Sequence, residues 1–127
     1  MNILLDTHAF IWADNDSQKL SGNAIGAILQ ATTKYVSIVS VWEIQIKSSL
    51  GKLPLTKPLA KLVLDQQEQN GVQILPITQD HIYALTDLPP IHRDPFDRML
   101  IAQAQHEHLT LVTADENIPK YAVHTAW

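Results

Sequence analysis

The sequence predicts an α/β domain with a central parallel sheet of four to five strands and helices on both faces. Short apolar and β-branched runs alternate along the chain with longer segments whose apolar residues recur at helical spacing. That alternation is typical of strand–helix–strand units. No internal repeat, low-complexity stretch or linker interrupts it, so residues 1–127 are expected to form one domain.

Five segments have the composition of strands. The first, NILL at residues 2–5, is a short apolar run that ends at Asp6. The next three are YVSIV at 35–39, VQILPI at 72–77 and LTLVT at 109–113, and the tail YAVHTAW at 121–127 is a short fifth candidate, expected at an edge of the sheet. These runs contain the β-branched and aromatic residues that strands favour.

Five helices are expected between the strands. Their predicted ranges are 21–32, 40–51, 58–69, 78–89 and 95–106. Ser40 and Gly51 are typical start and stop residues for the second helix, and Pro89 ends the fourth. The last helix is apolar nearly all round its early turns, which indicates that it is buried.

Composition excludes several classes of protein. Hydrophobic residues make up 46% of the chain and charged residues 17%, which fits a globular protein and not a disordered one. The absence of cysteine excludes disulfides, a thiolate metal site and a thiol nucleophile. The sequence predicts neither a signal peptide nor a membrane span, because no basic region precedes the first apolar run and no segment approaches ~20 apolar residues. A cytoplasmic location is expected.

The charge of the chain argues against a general DNA-binding protein. Its net charge is −4 and its isoelectric point is about 5.8, whereas proteins that hold duplex DNA by its backbone are usually basic. Clustered carboxylates that bind cations would still attract phosphate. Four lysines lie close together in the sequence and are expected to be solvated, with a basic patch as the alternative: Lys47, Lys52, Lys57 and Lys61.

Four carboxylates fall where a parallel sheet binds its ligands, at the carboxyl ends of the strands. Asp6 directly follows the first strand, Glu43 lies beyond the second, Asp115 follows the fourth, and Asp97 lies in the first turn of the last helix. Each has a structural explanation as a turn or cap residue; Glu43, for example, completes a capping box with Ser40. Together they would repel one another unless a cation were present. The cluster therefore predicts a hard, oxygen-preferring cation such as Mg²⁺ or Mn²⁺.

The stretch HRDPFDRMLIAQA at 92–104 allows two interpretations of its acids. Asp94 fits a helix N-cap before Pro95 at the first helical position, and Asp97 fits a first-turn acid that favours the helix dipole. The same two carboxylates are also suited to holding a metal ion. The local sequence does not decide between these interpretations.

These motifs resemble PIN-domain ribonucleases and, more closely, the VapC-type toxins of bacterial type II toxin–antitoxin modules. The resemblance runs almost from end to end and is carried, in order, by LLDTH at 4–8, SVWEI at 40–44, HRDPFDRMLIAQA and LVTAD at 111–115. It implies an acidic quartet that binds one or two divalent cations and hydrolyses RNA. Residue by residue, the quartet falls on Asp6, Glu43, Asp97 and Asp115.

Within that resemblance, Asp97 is assigned to the metal because Ala102 and Ala104 follow it as the family's D-x-x-x-x-A-x-A pattern requires. Asp94 is assigned mainly to the cap, with the reverse assignment as the alternative. The implied mechanism uses a cation bound by Asp6 and Asp97, aided by the other two acids, to lower the pKa of water and polarise the phosphate.

Supporting roles and partners follow from the same resemblance. Thr7 and Thr113 stand beside two of the acids, where they orient a carboxylate or are simple turn hydroxyls. Arg93 or His92 is a candidate contact to RNA phosphate. Two tryptophans flank the expected site and are expected to pack in the core, with base stacking as the alternative: Trp12 and Trp42. The implied partners are an RNA substrate, a cognate antitoxin that covers the site, and a second copy of the chain.

Three other functions were weighed against the nuclease. A phospho-accepting receiver domain requires adjacent acids after the first strand and a late lysine, whereas Asp6 stands alone and LTLVTAD contains no lysine. A haloacid-dehalogenase-type phosphatase requires a second Asp where His8 stands. A PIN-like module that binds without catalysis stays open, although the intact quartet argues against it.

Overall fold

The computed structural model describes residues 1–127 and contains a five-stranded sheet in which every neighbouring pair of strands is parallel. The strands are β1 (Asn2–Leu5), β2 (Thr33–Ser37), β3 (Val72–Leu75), β4 (Thr110–Val112) and β5 (Thr125–Ala126). Their order in the sheet is β3-β2-β1-β4-β5. The prediction of an α/β fold on a parallel sheet is therefore confirmed, and the tail does supply an edge strand.

Six helices connect the strands. They are α1 (Thr7–Asn15), α2 (Gly22–Gln30), α3 (Ile38–Ser49), α4 (Leu59–Asn70), α5 (Gln79–Ala84) and α6 (Pro95–Glu107). Short 3₁₀ turns lie at Ser17–Lys19, Leu85–Asp87 and Ile118–Lys120. None of the helices combines the length and apolar character that crossing a bilayer requires.

The core lies on both faces of the sheet, because successive side chains of a strand point to opposite sides. On β1, Ile3 and Leu5 join one buried cluster, which includes Phe10 of α1, and Leu4 joins the other. The second cluster is filled largely by α6, whose Leu100 and other early apolar residues are buried, as its sequence predicted. Burial of a side chain such as Phe10 contributes about 1.5–3 kcal/mol.

The boundary between β2 and α3 differs from the prediction. The strand ends at Ser37 and the helix begins at Ile38, so the residues Ile38 and Val39 that were assigned to a strand are helical. The cap is the Ser37 hydroxyl, which accepts a hydrogen bond from the Val39 N–H at 3.1 Å. The predicted start at Ser40 and its capping box with Glu43 are therefore wrong, and both residues lie inside the helix.

One helix was missed entirely. In α1, residues 9–13 are five consecutive apolar side chains, so the segment shows no helical spacing. Its start is fixed by Asp6, whose carboxylate caps the helix by accepting a hydrogen bond from the Ala9 N–H at 2.8 Å. Farther along the chain, Gly71 ends α4 in the left-handed conformation, with a positive φ of 67°.

Candidate active site

The four predicted acids meet at the point where the order of the sheet reverses. The chain builds the sheet outward from β1 through β2 and β3, and then returns to the other side of β1 with β4 and β5. Ligands of open α/β sheets bind at the carboxyl ends of strands beside such a reversal. Asp6 follows β1 and Asp115 follows β4, while Asp97 comes from the start of α6 and Glu43 from the second turn of α3.

A cleft of about 380 Å³ brings these acids together. A fifth carboxylate, that of Asp94, lines the same cleft, whereas Arg93 is exposed and is not part of its lining. The ten lining residues are Asp6, Thr7, His8, Trp12, Glu43, Lys47, Asp94, Asp97, Ala114 and Asp115. Five carboxylates thus share one cleft with a single lysine and a single histidine.

Asp6 is held by the elements on either side of it. Its backbone N–H donates to Val112 O of β4 at 3.0 Å, and its carboxylate caps α1. Burial raises the pKa of Asp6, while hydrogen bonds from the Thr113 hydroxyl and the Ala9 N–H act in the opposite direction. Thr113 is itself buried, and its hydroxyl also accepts a hydrogen bond from the Asp115 N–H at 3.1 Å.

Glu43 is buried and has both carboxylate oxygens engaged. Thr7 donates its hydroxyl to Oε1 at 2.5 Å, and the Lys47 ammonium donates to Oε2 at 2.5 Å. The hydrogen bond with Glu43 raises the pKa of Lys47. Lys47 was expected to be a solvated lysine, so this contact is a correction. Its signal in the sequence was the position of Lys47 four residues after Glu43, which puts both on one face of the helix.

Asp97 lies in an environment that disfavours its charged form. Its pKa is raised to about 7, first by burial and then by the negative charges of Asp94, Asp115, Glu43 and Asp6. Asp94 occupies the N-cap position that the sequence predicted. It caps α6 by accepting from the Phe96 N–H at 2.9 Å, and it lines the cleft beside Asp97.

The remaining acid, Asp115, is fixed by its own loop. Its Oδ1 accepts from the Asn117 N–H at 2.8 Å, and its N–H donates to the Thr113 hydroxyl at 3.1 Å. His92 Nε2 is buried without a hydrogen-bond partner and lies 3.3 Å from Asp115 Oδ2 and 3.8 Å from Asp97 Oδ2. His92 thus stands between two acids of the site and not out in solvent.

The two tryptophans that flank the acids have different environments. Trp12 is half-buried, packs against the core cluster and lines the cleft, so the prediction of core packing holds for it in part. For Trp42 that prediction is wrong, because 59% of its surface is exposed. Trp42 lies edge-on to Phe96 of α6, with the ring centroids 5.6 Å apart.

Comparison with known proteins agrees with this architecture. The PIN domain family model matches residues 3–123. A chain of VapBC2 from Rickettsia felis, in a crystal structure with a DNA fragment from their promoter, has a TM-score of 0.70 at 16% identity over 98% of this chain and 97% of that chain. For FitAcB from Neisseria gonorrhoeae the TM-score is 0.62 at 20% identity over 98% and 96%. For a toxin–antitoxin complex from Klebsiella pneumoniae the TM-score is 0.55 at 18% identity, over 89% of this chain and 86% of that chain.

No curated protein matches the sequence. At identities of this size the solved structures show a shared fold and nothing finer, whereas the family model covers nearly the whole chain. On that match, and with the acidic cleft at the expected edge of the sheet, this chain belongs to the PIN domain family.

Proposed function

We propose that this protein is a metal-dependent endoribonuclease and the toxin of a type II toxin–antitoxin module. The observation that carries the proposal is the single cleft in which Asp6, Glu43, Asp97 and Asp115 converge in a PIN domain. The similarity of the fold to VapBC2 and FitAcB supports the toxin assignment. The substrate follows from the sequence resemblance to ribonucleases of this family.

The side chains of the cleft suit a hard divalent cation. Carboxylate oxygens are the donors that Mg²⁺ and Mn²⁺ prefer, and the cleft offers five carboxylates. The pKa of Asp97 is raised first by burial and then by neighbouring negative charge, and a bound cation would relieve that charge. When bound, such a cation neutralises charge on a phosphate and lowers the pKa of water.

The protein's own side chains divide the remaining work. Asp6 and Asp97 would hold the cation, aided by Asp115 and with Asp94 in support, and Glu43 is the fourth acid of the quartet at the wall of the cleft. Thr113 orients Asp6, and Thr7 orients Glu43. Arg93, exposed in the loop before α6, is the proposed contact to an RNA phosphate, because a guanidinium matches phosphate oxygens in geometry and charge.

The test compares RNA cleavage by the wild type, Asp6→Asn and Asp97→Asn, each with Mg²⁺, Mn²⁺ or EDTA. We expect metal-dependent cleavage by the wild type and a loss on the order of 10²-fold or more in both variants, since each removes a charged ligand and keeps the shape of the side chain. Asp80→Asn is the matched control, because Asp80 is an exposed acid in the first turn of α5.

Wild-type protein that cuts no RNA in a broad panel would contradict the nuclease assignment. Full activity in Asp97→Asn with none in Asp94→Asn would reverse the roles of those two residues. The toxin assignment predicts that expression arrests bacterial growth, and that the product of the neighbouring gene relieves the arrest.

The proposal extends to partners and location. A cognate antitoxin would cover the cleft, and two copies of the chain would pair as a homodimer in the cytoplasm. Exposed apolar side chains on α3 and α5 offer surface for such contacts, since large exposed apolar groups commonly mark protein interfaces. They include Ile38, Trp42, Ile82 and Tyr83.

A further inference from the structure

The cleft contains one permanently charged cation of its own. Lys47 is the single lysine or arginine among the residues that line it. Its ammonium lies 2.5 Å from Glu43 Oε2, and its side chain is 37% exposed while that of Glu43 is 4% exposed. Lys47 therefore brings a positive charge from the rim to a carboxylate at the bottom of the cleft.

Glu43 differs from the aspartates that it accompanies. Side chains of the protein engage both of its oxygens at 2.5 Å, Thr7 on Oε1 and Lys47 on Oε2. By contrast, Asp97 accepts no hydrogen bond within the protein, and backbone N–H groups engage only one oxygen of Asp94 and one of Asp115. The free oxygens of the cleft belong to the aspartates.

A buried carboxylate that has a partner on each oxygen gains little by exchanging one of them for another cation. Breaking a buried ion pair leaves a charge unpaired and is costly. The positive charge of Lys47 offsets part of the negative charge of Glu43, so the pair attracts a divalent cation less strongly than an unpaired carboxylate would. Glu43 and Lys47 should thus act as one neutral unit.

Resting on the proposed function, we propose that Lys47 is a positioning residue that neutralises Glu43, so that the divalent cation is held by the aspartates of the cleft and not by Glu43. Glu43 then serves to fix Thr7 and Lys47 at the wall of the site. Removal of the pair as a unit should leave the cation site intact, whereas removal of either member alone should leave an unpaired charge beside it.

The experiment is a calorimetric titration of the EDTA-treated, dialysed protein with Mn²⁺ alone. Glu43→Gln should raise the dissociation constant on the order of tenfold, because the charge of Lys47 is then unpaired and repels the metal. Lys47→Met should lower the dissociation constant by a similar factor, because the charge of Glu43 is then no longer neutralised. The double variant should bind Mn²⁺ within about threefold of the wild type, because it contains neither charge.

Two controls make the assignment specific. Lys61→Met removes a lysine that forms the same i,i+4 ion pair, with Asp65 at 2.6 Å, on a helix outside the cleft, and it should not change Mn²⁺ binding. Lys47→Arg keeps the charge and should bind Mn²⁺ as the wild type does. Circular dichroism checks that each variant is folded. If Lys47→Met does not fold, the proposal is tested by the Mn²⁺ affinity of the double variant, which leaves no charge unpaired.

The double variant gives the clearest contrary result. If it binds Mn²⁺ as weakly as Glu43→Gln, then Glu43 is itself a ligand and the proposal fails. The proposal also fails if Lys47→Met has the same dissociation constant for Mn²⁺ as Lys61→Met. Because the titration contains no RNA, absence of cleavage by the wild type would contradict the proposed nuclease and leave this test unaffected.

Discussion

At the scale of single residues, the negative charge concentrated in the cleft lowers the stability of the folded protein. Asp97 is held where burial and four neighbouring acids raise its pKa to about 7, far above the ordinary value of 3.8. The folded protein therefore binds this proton more tightly than the unfolded chain does. Stability falls as the pH rises from about 4 to about 7, and the full cost of the ionised carboxylate is present above pH 7.

Replacing Asp97 by Asn should stabilise the metal-free protein at pH 8. The gain in the free energy of unfolding is at most about 4 kcal/mol, which corresponds to the change in the pKa of Asp97 on folding. It should shrink towards pH 4, where the wild-type carboxyl is protonated in the folded and the unfolded state. Thermal unfolding in EDTA across this pH range measures it, with Asp80→Asn as the control outside the cleft. A destabilised Asp97→Asn at pH 8 would show that this carboxylate is not under electrostatic strain.

At the scale of elements, α6 organises the loop that precedes it. The Arg98 guanidinium donates to backbone carbonyls in residues 85–92, with the shortest contact at 2.9 Å to Pro89 O. It also contacts the Tyr121 hydroxyl, which accepts a hydrogen bond from the His92 N–H at 2.6 Å. One planar side chain thus holds His92 at the edge of the acidic cleft.

Arg98→Lys should therefore be far from conservative. A lysine ammonium lacks the planar fork that reaches several carbonyls at once, so we expect a loss of about 1–3 kcal/mol in the free energy of unfolding. Urea denaturation measures this loss, and Arg93→Lys, at an exposed position in the same loop, should leave the midpoint unchanged. Equal midpoints for the two variants would mean that these contacts do not hold the loop.

At the scale of the whole molecule, the sequence predicted the α/β fold because alternating strand and helix patterns are a property of long segments. The sequence did not predict α1, whose consecutive apolar residues have no periodicity. It also placed the start of α3 too late, because the N-cap is Ser37 and not Ser40. The meeting of the acids in one cleft could be predicted because parallel strands share one carboxyl edge. The ion pair of Lys47 had a signal in its spacing of four residues from Glu43, whereas the contacts of Arg98 depend on side-chain packing, which no periodicity reveals.

The place of β1 in the sheet has a consequence for synthesis on the ribosome. Of the five strands, β1 is made first and lies at the centre of the sheet, and its neighbour β4, with Ile3 paired to Thr110, is made fourth. Two strands that lie this far apart in the sequence cannot pair until the later one has been synthesised. A ribosome-bound chain that ends before residue 110 should therefore be digested readily by protease, while the released full chain resists. The carboxylates of the cleft cannot assemble until β4 and the loop that contains Asp115 have been synthesised.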